Sequence, residues 1–97
     1  MKYLVIVISP YTVSPTYDIL DRIPTQDDII RIESSDKRFS EITLYELSDV
    51  DSIMVVAASG IKNPEEFRRV LKLQKFVLRM LESLSKGKIY RGRRLPL

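Results

Sequence analysis

Residues 2–9 of this chain, KYLVIVIS, form an almost unbroken run of apolar and mostly β-branched side chains. Such a run is typical of a buried β-strand, and a strand that is apolar on both faces must be covered on both sides. The run is too short to span a membrane as a helix, and no small-residue cleavage site follows it. We therefore predict that residues 2–9 form a central strand of a sheet in a cytoplasmic protein.

A second apolar run, SIMVVAAS at residues 52–59, predicts another strand with apolar side chains on both faces. Residues 15–23, PTYDILDRI, follow Ser14 and begin with a proline. A capping residue followed by proline is typical of a helix start, so we predict a helix of about two turns there. Residues 27–34 (DDIIRIES) and 38–47 (RFSEITLYEL) predict two strands joined by a polar turn.

Residues 63–87, NPEEFRRVLKLQKFVLRMLESLSKG, predict one long amphipathic helix with clear ends. Asn63 is a favourable N-cap, Pro64 suits the first helical position, and Glu66 stands where a capping box places its carboxylate. Gly87 can adopt the left-handed conformation that closes the other end of a helix.

Together these segments predict an α+β fold: a small two-layer mixed β-sheet, in the order β-α-β-β-β-α, with one long C-terminal amphipathic helix. Two alternatives stay open within this order. Residues 38–47 could form a helix capped by Ser40, and the segment KIYRG near the C-terminus could add a strand. We predict that residues 1–87 form a single domain and that residues 88–97 form a basic tail.

The chain contains no histidine and no cysteine. It therefore lacks the commonest general base, a thiolate nucleophile and the usual zinc ligands. Asp49 and Asp51, with Glu46 nearby, could hold magnesium through carboxylate oxygens, but the same residues are common in turns. We expect no enzymatic activity, no metal and no cofactor. The scarcity of Asn and Gln favours a thermophilic source.

The charge of the chain is distributed unevenly. Residues 1–58 carry five Lys/Arg and ten Asp/Glu, whereas residues 59–97 carry eleven and three, so the two parts have net charges of −5 and +8. Such asymmetry favours an anionic partner for the basic part.

On a helical projection at about 100° per residue, one apolar stripe contains Phe67, Val70, Leu71, Val77, Leu78, Leu81 and Leu84. A basic ridge lies on the opposite side, and it consists of Arg68, Lys72, Lys75 and Arg79.

The ridge and the tail together predict the function. Four cations of the tail, Lys88, Arg91, Arg93 and Arg94, lie among glycines with no acidic residue between them. Arginine and lysine in this density suit phosphate groups, so we predict a nucleic-acid-binding domain with little or no sequence preference. Lysine and arginine also make an ordinary solvent face for a helix, which is the simplest alternative explanation of the ridge alone.

Leu73, Phe76 and Met80 lie beside the apolar stripe and widen it beyond what packing on one sheet requires. We predict that these three residues form a homodimer interface, and an assembly module is thus an alternative function. A second alternative is a nucleotide- or phosphate-binding domain. The loops that follow residues 9 and 58 would share one sheet edge if the two strands are parallel, and each loop runs into a predicted helix N-terminus.

Overall fold

The computed structural model describes residues 1–11, 14–58 and 60–85, and no side-chain placement is described for residues 84 and 85. In chain order, its elements are β1 (Tyr3–Ile8), β2 (Thr16–Leu20), α1 (Gln26–Glu33), a 3₁₀ turn (Phe39–Glu41), α2 (Leu44–Ser48), β3 (Ser52–Ala57) and α3 (Pro64–Ser85). The described strands form one sheet in the order β2-β1-β3. No helix in these three ranges combines the length and the apolarity needed to cross a lipid bilayer.

The central strand of the sheet is β1, as its composition predicts. It pairs antiparallel with β2, with Leu4 opposite Ile19, and parallel with β3, with Leu4 opposite Ile53. Residues 4–8 are at most 1% exposed. The prediction of a strand at residues 52–59 is also confirmed, since β3 occupies most of that segment.

Helices cover both faces of the sheet, because successive side chains of a strand point to opposite faces. Leu4 and Ile6 belong to the buried cluster that includes residues of α2 and α3. Val5 belongs to a second cluster, which α1 completes with Ile29 and Ile32. The predicted α+β class, the mixed sheet and the long C-terminal helix are confirmed, and α1 adds a layer on the second face.

The predicted element order is corrected first at residues 15–23, where the structure has β2 instead of a helix. Proline is tolerated at the entry to a strand, so Pro15 does not require a helix. Thr16, Tyr17 and Ile19 are good strand formers. As a strand, this segment forms backbone hydrogen bonds with the central strand β1 along one of its edges. A short helix could not satisfy the backbone groups of that edge.

The segment 27–34 is the second correction, since it lies in α1 and not in a strand. Thr25 caps this helix, and its hydroxyl accepts a hydrogen bond from the Asp28 N–H (3.3 Å). The Asp28 carboxylate in turn accepts one from the Thr25 N–H (2.8 Å). This reciprocal capping box fixes a helix start, and the spacing of Ile29 and Ile32 then places both on the buried side.

The segment 38–47 is the third correction, because it contains the 3₁₀ turn and α2 instead of a strand. The alternative prediction of a helix is closer to the structure, but the residue that caps α2 is Thr43 and not Ser40. The Thr43 hydroxyl accepts a hydrogen bond from the Glu46 N–H (3.1 Å), and the Glu46 carboxylate accepts one from the Thr43 N–H (2.9 Å). Within this segment, the only strand-like pairing that the described residues show is an isolated antiparallel bridge between Arg38 and Thr16.

The predicted start of α3 is confirmed. The side-chain oxygen of Asn63 accepts a hydrogen bond from the Glu66 N–H (2.9 Å), and Pro64 is the first helical residue. The Glu66 carboxylate accepts a hydrogen bond from the N–H of Lys62, one residue before the position of a standard capping box. Gly60, on the connection from β3, has a positive φ of 88°, which glycine adopts without strain. Gly87 lies outside the described residues.

Asp28 supports a prediction about acid stability. Its carboxylate accepts hydrogen bonds from the Arg22 guanidinium and from the Thr25 N–H, which together hold the pKa of Asp28 well below its usual value of 3.8. A depressed folded-state pKa contributes stability above the unfolded pKa, and this stability is lost as the carboxylate becomes protonated at lower pH. We therefore expect Asp28→Asn to destabilise the protein at pH 7 and to flatten its loss of stability between about pH 5 and pH 2.

Urea unfolding followed by circular dichroism at both pH extremes measures this effect. Asp27→Asn is the matched control, because Asp27 is exposed in the same turn of α1. Equal pH dependence in the two variants would show that the hydrogen bonds of Asp28 do not couple folding to protonation.

Candidate nucleic-acid interface

The buried side of α3 is narrower than the predicted apolar stripe. Val70, Val77 and Leu81 are at most 1% exposed and form the centre of the contact with the sheet. Phe67, predicted to lie in this stripe, is 43% exposed. The helix is therefore rotated so that Leu73 packs partly against the core, which moves Phe67 to the margin.

The four ridge residues lie on the side of α3 that faces away from the core, and all four are exposed. On the helical projection, Val77 and Val70 each lie roughly 170° from the centre of the ridge, in opposite directions, so the ridge is almost directly opposite the buried side. None of the four side chains forms an ion pair or a hydrogen bond with another described residue. The structure therefore places the predicted ridge residues together on one solvent-facing surface.

Three acidic residues of the first part of the chain, Asp18, Asp28 and Asp49, form ion pairs with cations of that same part. Asp18 contacts Arg31 at 3.0 Å and Lys37 at 3.5 Å, and Asp28 contacts Arg22. These carboxylates lie on β2 and α1, whereas α3 packs on the other sheet face. All ion pairs within the described part of the chain join residues in the range 2–49, so no described acidic side chain neutralises the ridge through such a pair.

The other predicted nucleic-acid-binding residues, Lys88, Arg91, Arg93 and Arg94, lie outside the described residues.

The prediction from the sequence left out one cation that the structure places near the ridge. Arg69 is exposed on α3, and its charge helps to lower the pKa of Glu66, after the larger effects of hydrogen bonds from the Tyr11 hydroxyl and the Lys62 N–H. Its position on the helical projection, about 60° beyond Lys72, was the available signal.

The three predicted dimer-interface residues have different surroundings in the monomer. Leu73 and Met80 are half-buried and pack against the core, whereas Phe76 is 56% exposed. The homodimer interface formed by these three residues stays a prediction.

The loops after β1 and β3 share one sheet edge, because these strands are parallel. The Glu66 carboxylate occupies the helix N-terminus there, where it accepts hydrogen bonds from the Tyr11 hydroxyl and from the Lys62 N–H. A negative charge in this position repels a phosphate and already uses the favourable end of the helix dipole. The geometry therefore favours a structural role for these loops over the phosphate-binding alternative.

Asp49 and Asp51 also have a structural role. The Lys2 ammonium contacts the Asp49 carboxylate at 2.5 Å, and the Lys2 N–H donates a hydrogen bond to the Asp51 carboxylate at 2.7 Å. These contacts tie the start of β1 to the start of β3. In the described ranges, no group of three or more acidic side chains is arranged to hold a metal ion.

No protein-family model matches this chain, and neither a curated protein nor a solved structure is similar enough to be matched with it.

Proposed function

We propose that this protein binds nucleic acid through the phosphate backbone, with little or no sequence preference, and that the ridge on α3 is the contact surface. The observation that carries the proposal is the placement of four exposed cations on the side of α3 opposite its buried residues. Like charges on adjacent helical turns destabilise a helix by about 0.2–0.5 kcal/mol per pair. A bound polyanion would offset this repulsion and release its own condensed counterions.

The spacing of the ridge supports contact with several phosphates in a row. Its members follow one another at intervals of four, three and four residues. A helix rises 1.5 Å per residue, so the ridge spans roughly 16 Å with a cation about every 5 Å. Backbone contacts of this kind carry no sequence information, which agrees with the predicted lack of base preference.

Electrophoretic mobility shifts across a salt series test this function. If the ridge and the four predicted tail cations contact about eight phosphates, the logarithm of affinity should fall against the logarithm of salt concentration with a slope near −7 for duplex DNA. The affinity would then decrease on the order of 10⁴-fold between 50 and 200 mM salt. Absence of a retarded band at 50 mM salt, at micromolar protein, would rule the function out.

An assembly module is the second candidate, and exposed Phe76 is the observation that favours it. A homodimer would also double the basic surface. Light scattering at micromolar protein distinguishes a dimer from a mass of 11.3 kDa.

A further inference from the structure

Phe76 is an exposed aromatic ring on the border between the ridge and the apolar side of α3. Residues three and four positions apart are neighbours on a helix, so Lys72 and Arg79 flank Phe76 on one side. Both cations are exposed, and Phe76 itself is 56% exposed. Leu73 and Met80, its neighbours on the other side, pack against the core. This arrangement places a solvent-facing ring directly beside two positive charges of the ridge.

We infer that Phe76 stacks on an unpaired base of a single-stranded nucleic acid whose phosphates contact the ridge. The inference rests on the proposed function and adds its substrate class, a single strand in preference to a duplex. Bases within a duplex stack on one another and expose only their edges in the grooves, whereas an unpaired base offers a free π face. An aromatic side chain next to a cationic track is the combination by which proteins hold single strands without reading their sequence.

A second copy of this chain fits the same surface less well. The exposed part of one phenylalanine offers on the order of 100 Å², whereas a stable interface buries about 800 Å² on each partner. A two-fold contact centred on Phe76 with antiparallel α3 helices would also place the ridges of both copies side by side. Like charges facing each other across an interface cost several kcal/mol, whereas a polyanion is complementary to the ridge.

Fluorescence anisotropy with two labelled oligonucleotides tests the inference. One is a single-stranded oligothymidine of 15 nucleotides, and the other is a mixed-sequence duplex of 15 base pairs, both at 50 mM salt. Phe76→Leu keeps an apolar side chain but removes the π face, and Phe76→Tyr keeps the ring. We expect Phe76→Leu to weaken single-strand binding between about 5- and 150-fold, to leave duplex binding unchanged within about 2-fold, and to be rescued by Phe76→Tyr.

Three other results would overturn the inference, and each is distinguishable. Equal affinity of wild type and Phe76→Leu for the single strand would exclude stacking, while binding that still depends on salt would leave the proposed function in place. No binding of either oligonucleotide would refute the proposed function, and the inference would fall with it. A dimer that Phe76→Leu converts to a monomer, measured by light scattering, would assign the surface to a second copy.

Discussion

Replacing all four ridge cations by glutamine is expected to lower the affinity for an oligonucleotide on the order of 10³-fold at 0.1 M salt. Each cation that contacts a phosphate releases close to one counterion. Removing one such cation therefore lowers the affinity at 0.1 M salt nearly tenfold, taking the affinity at 1 M salt as the common reference. The slope of the logarithm of affinity against that of salt should become shallower by about 3 to 4. Glutamine is a good helix former, so α3 should be preserved. Anisotropy titrations at several salt concentrations measure both quantities.

A matched pair of double variants separates the ridge from net charge. Lys72→Gln with Lys75→Gln removes two charges from the ridge, whereas Arg38→Gln with Lys62→Gln removes two exposed charges elsewhere. Binding at the ridge requires the first pair to lose much more affinity than the second. Equal losses would mean that the overall charge of the protein attracts the oligonucleotide and that the ridge is not a specific contact surface.

The parts of the fold that could be predicted are those in which a single pattern dominates a long segment. β1 and β3 are apolar on both faces, which leaves a buried strand as the natural outcome. In α3, a helical period repeats over 22 residues between clear end signals. Tertiary packing rotates such a helix but does not abolish it, and the exposure of Phe67 is the result of that rotation.

Residues 15–47 could not be predicted in the same way because their segments are short and their patterns ambiguous. The adjacent apolar pair Ile29 and Ile30 suits a buried strand as well as a helix, so the hydrophobic pattern does not decide between them. Thr25 and Thr43, each followed three residues later by an acidic residue, were the decisive signals. Capping boxes therefore deserve more weight than apolar composition in segments of this length.

The candidate site also has a part that the sequence could predict and a part that it could not. The ridge follows from spacing within one helix, which the sequence displays directly. The partners of the acidic residues depend on contacts between segments that are far apart in the chain, such as Lys2 with Asp49. Sequence periodicity contains no information about such contacts. The structure was therefore needed to find that Asp18, Asp28 and Asp49 form ion pairs with cations of the first part and not with the ridge.

The largest expected effect on stability comes from Phe39, in the segment that was wrongly predicted to be a strand. This side chain is 1% exposed and belongs to the same buried cluster as Ile6 and Val77. Phe39→Ala should lower the free energy of unfolding by about 3–5 kcal/mol, because it removes buried apolar area and leaves a cavity. Domains of this size have a total stability of about 5–15 kcal/mol, so the variant should be close to unfolding.

The same substitution at Phe76 is the matched control for this prediction. Phe76 is 56% exposed, so Phe76→Ala should change the free energy of unfolding by no more than about 0.5 kcal/mol. Chemical denaturation of both variants at pH 7 gives the comparison. The cost at Phe39 depends on the 3₁₀ turn directing this ring into the cluster that α3 covers. If both variants unfolded at the denaturant concentration of the wild type, Phe39 would not be a core residue, and the packing of residues 38–47 against α3 would have to be rejected.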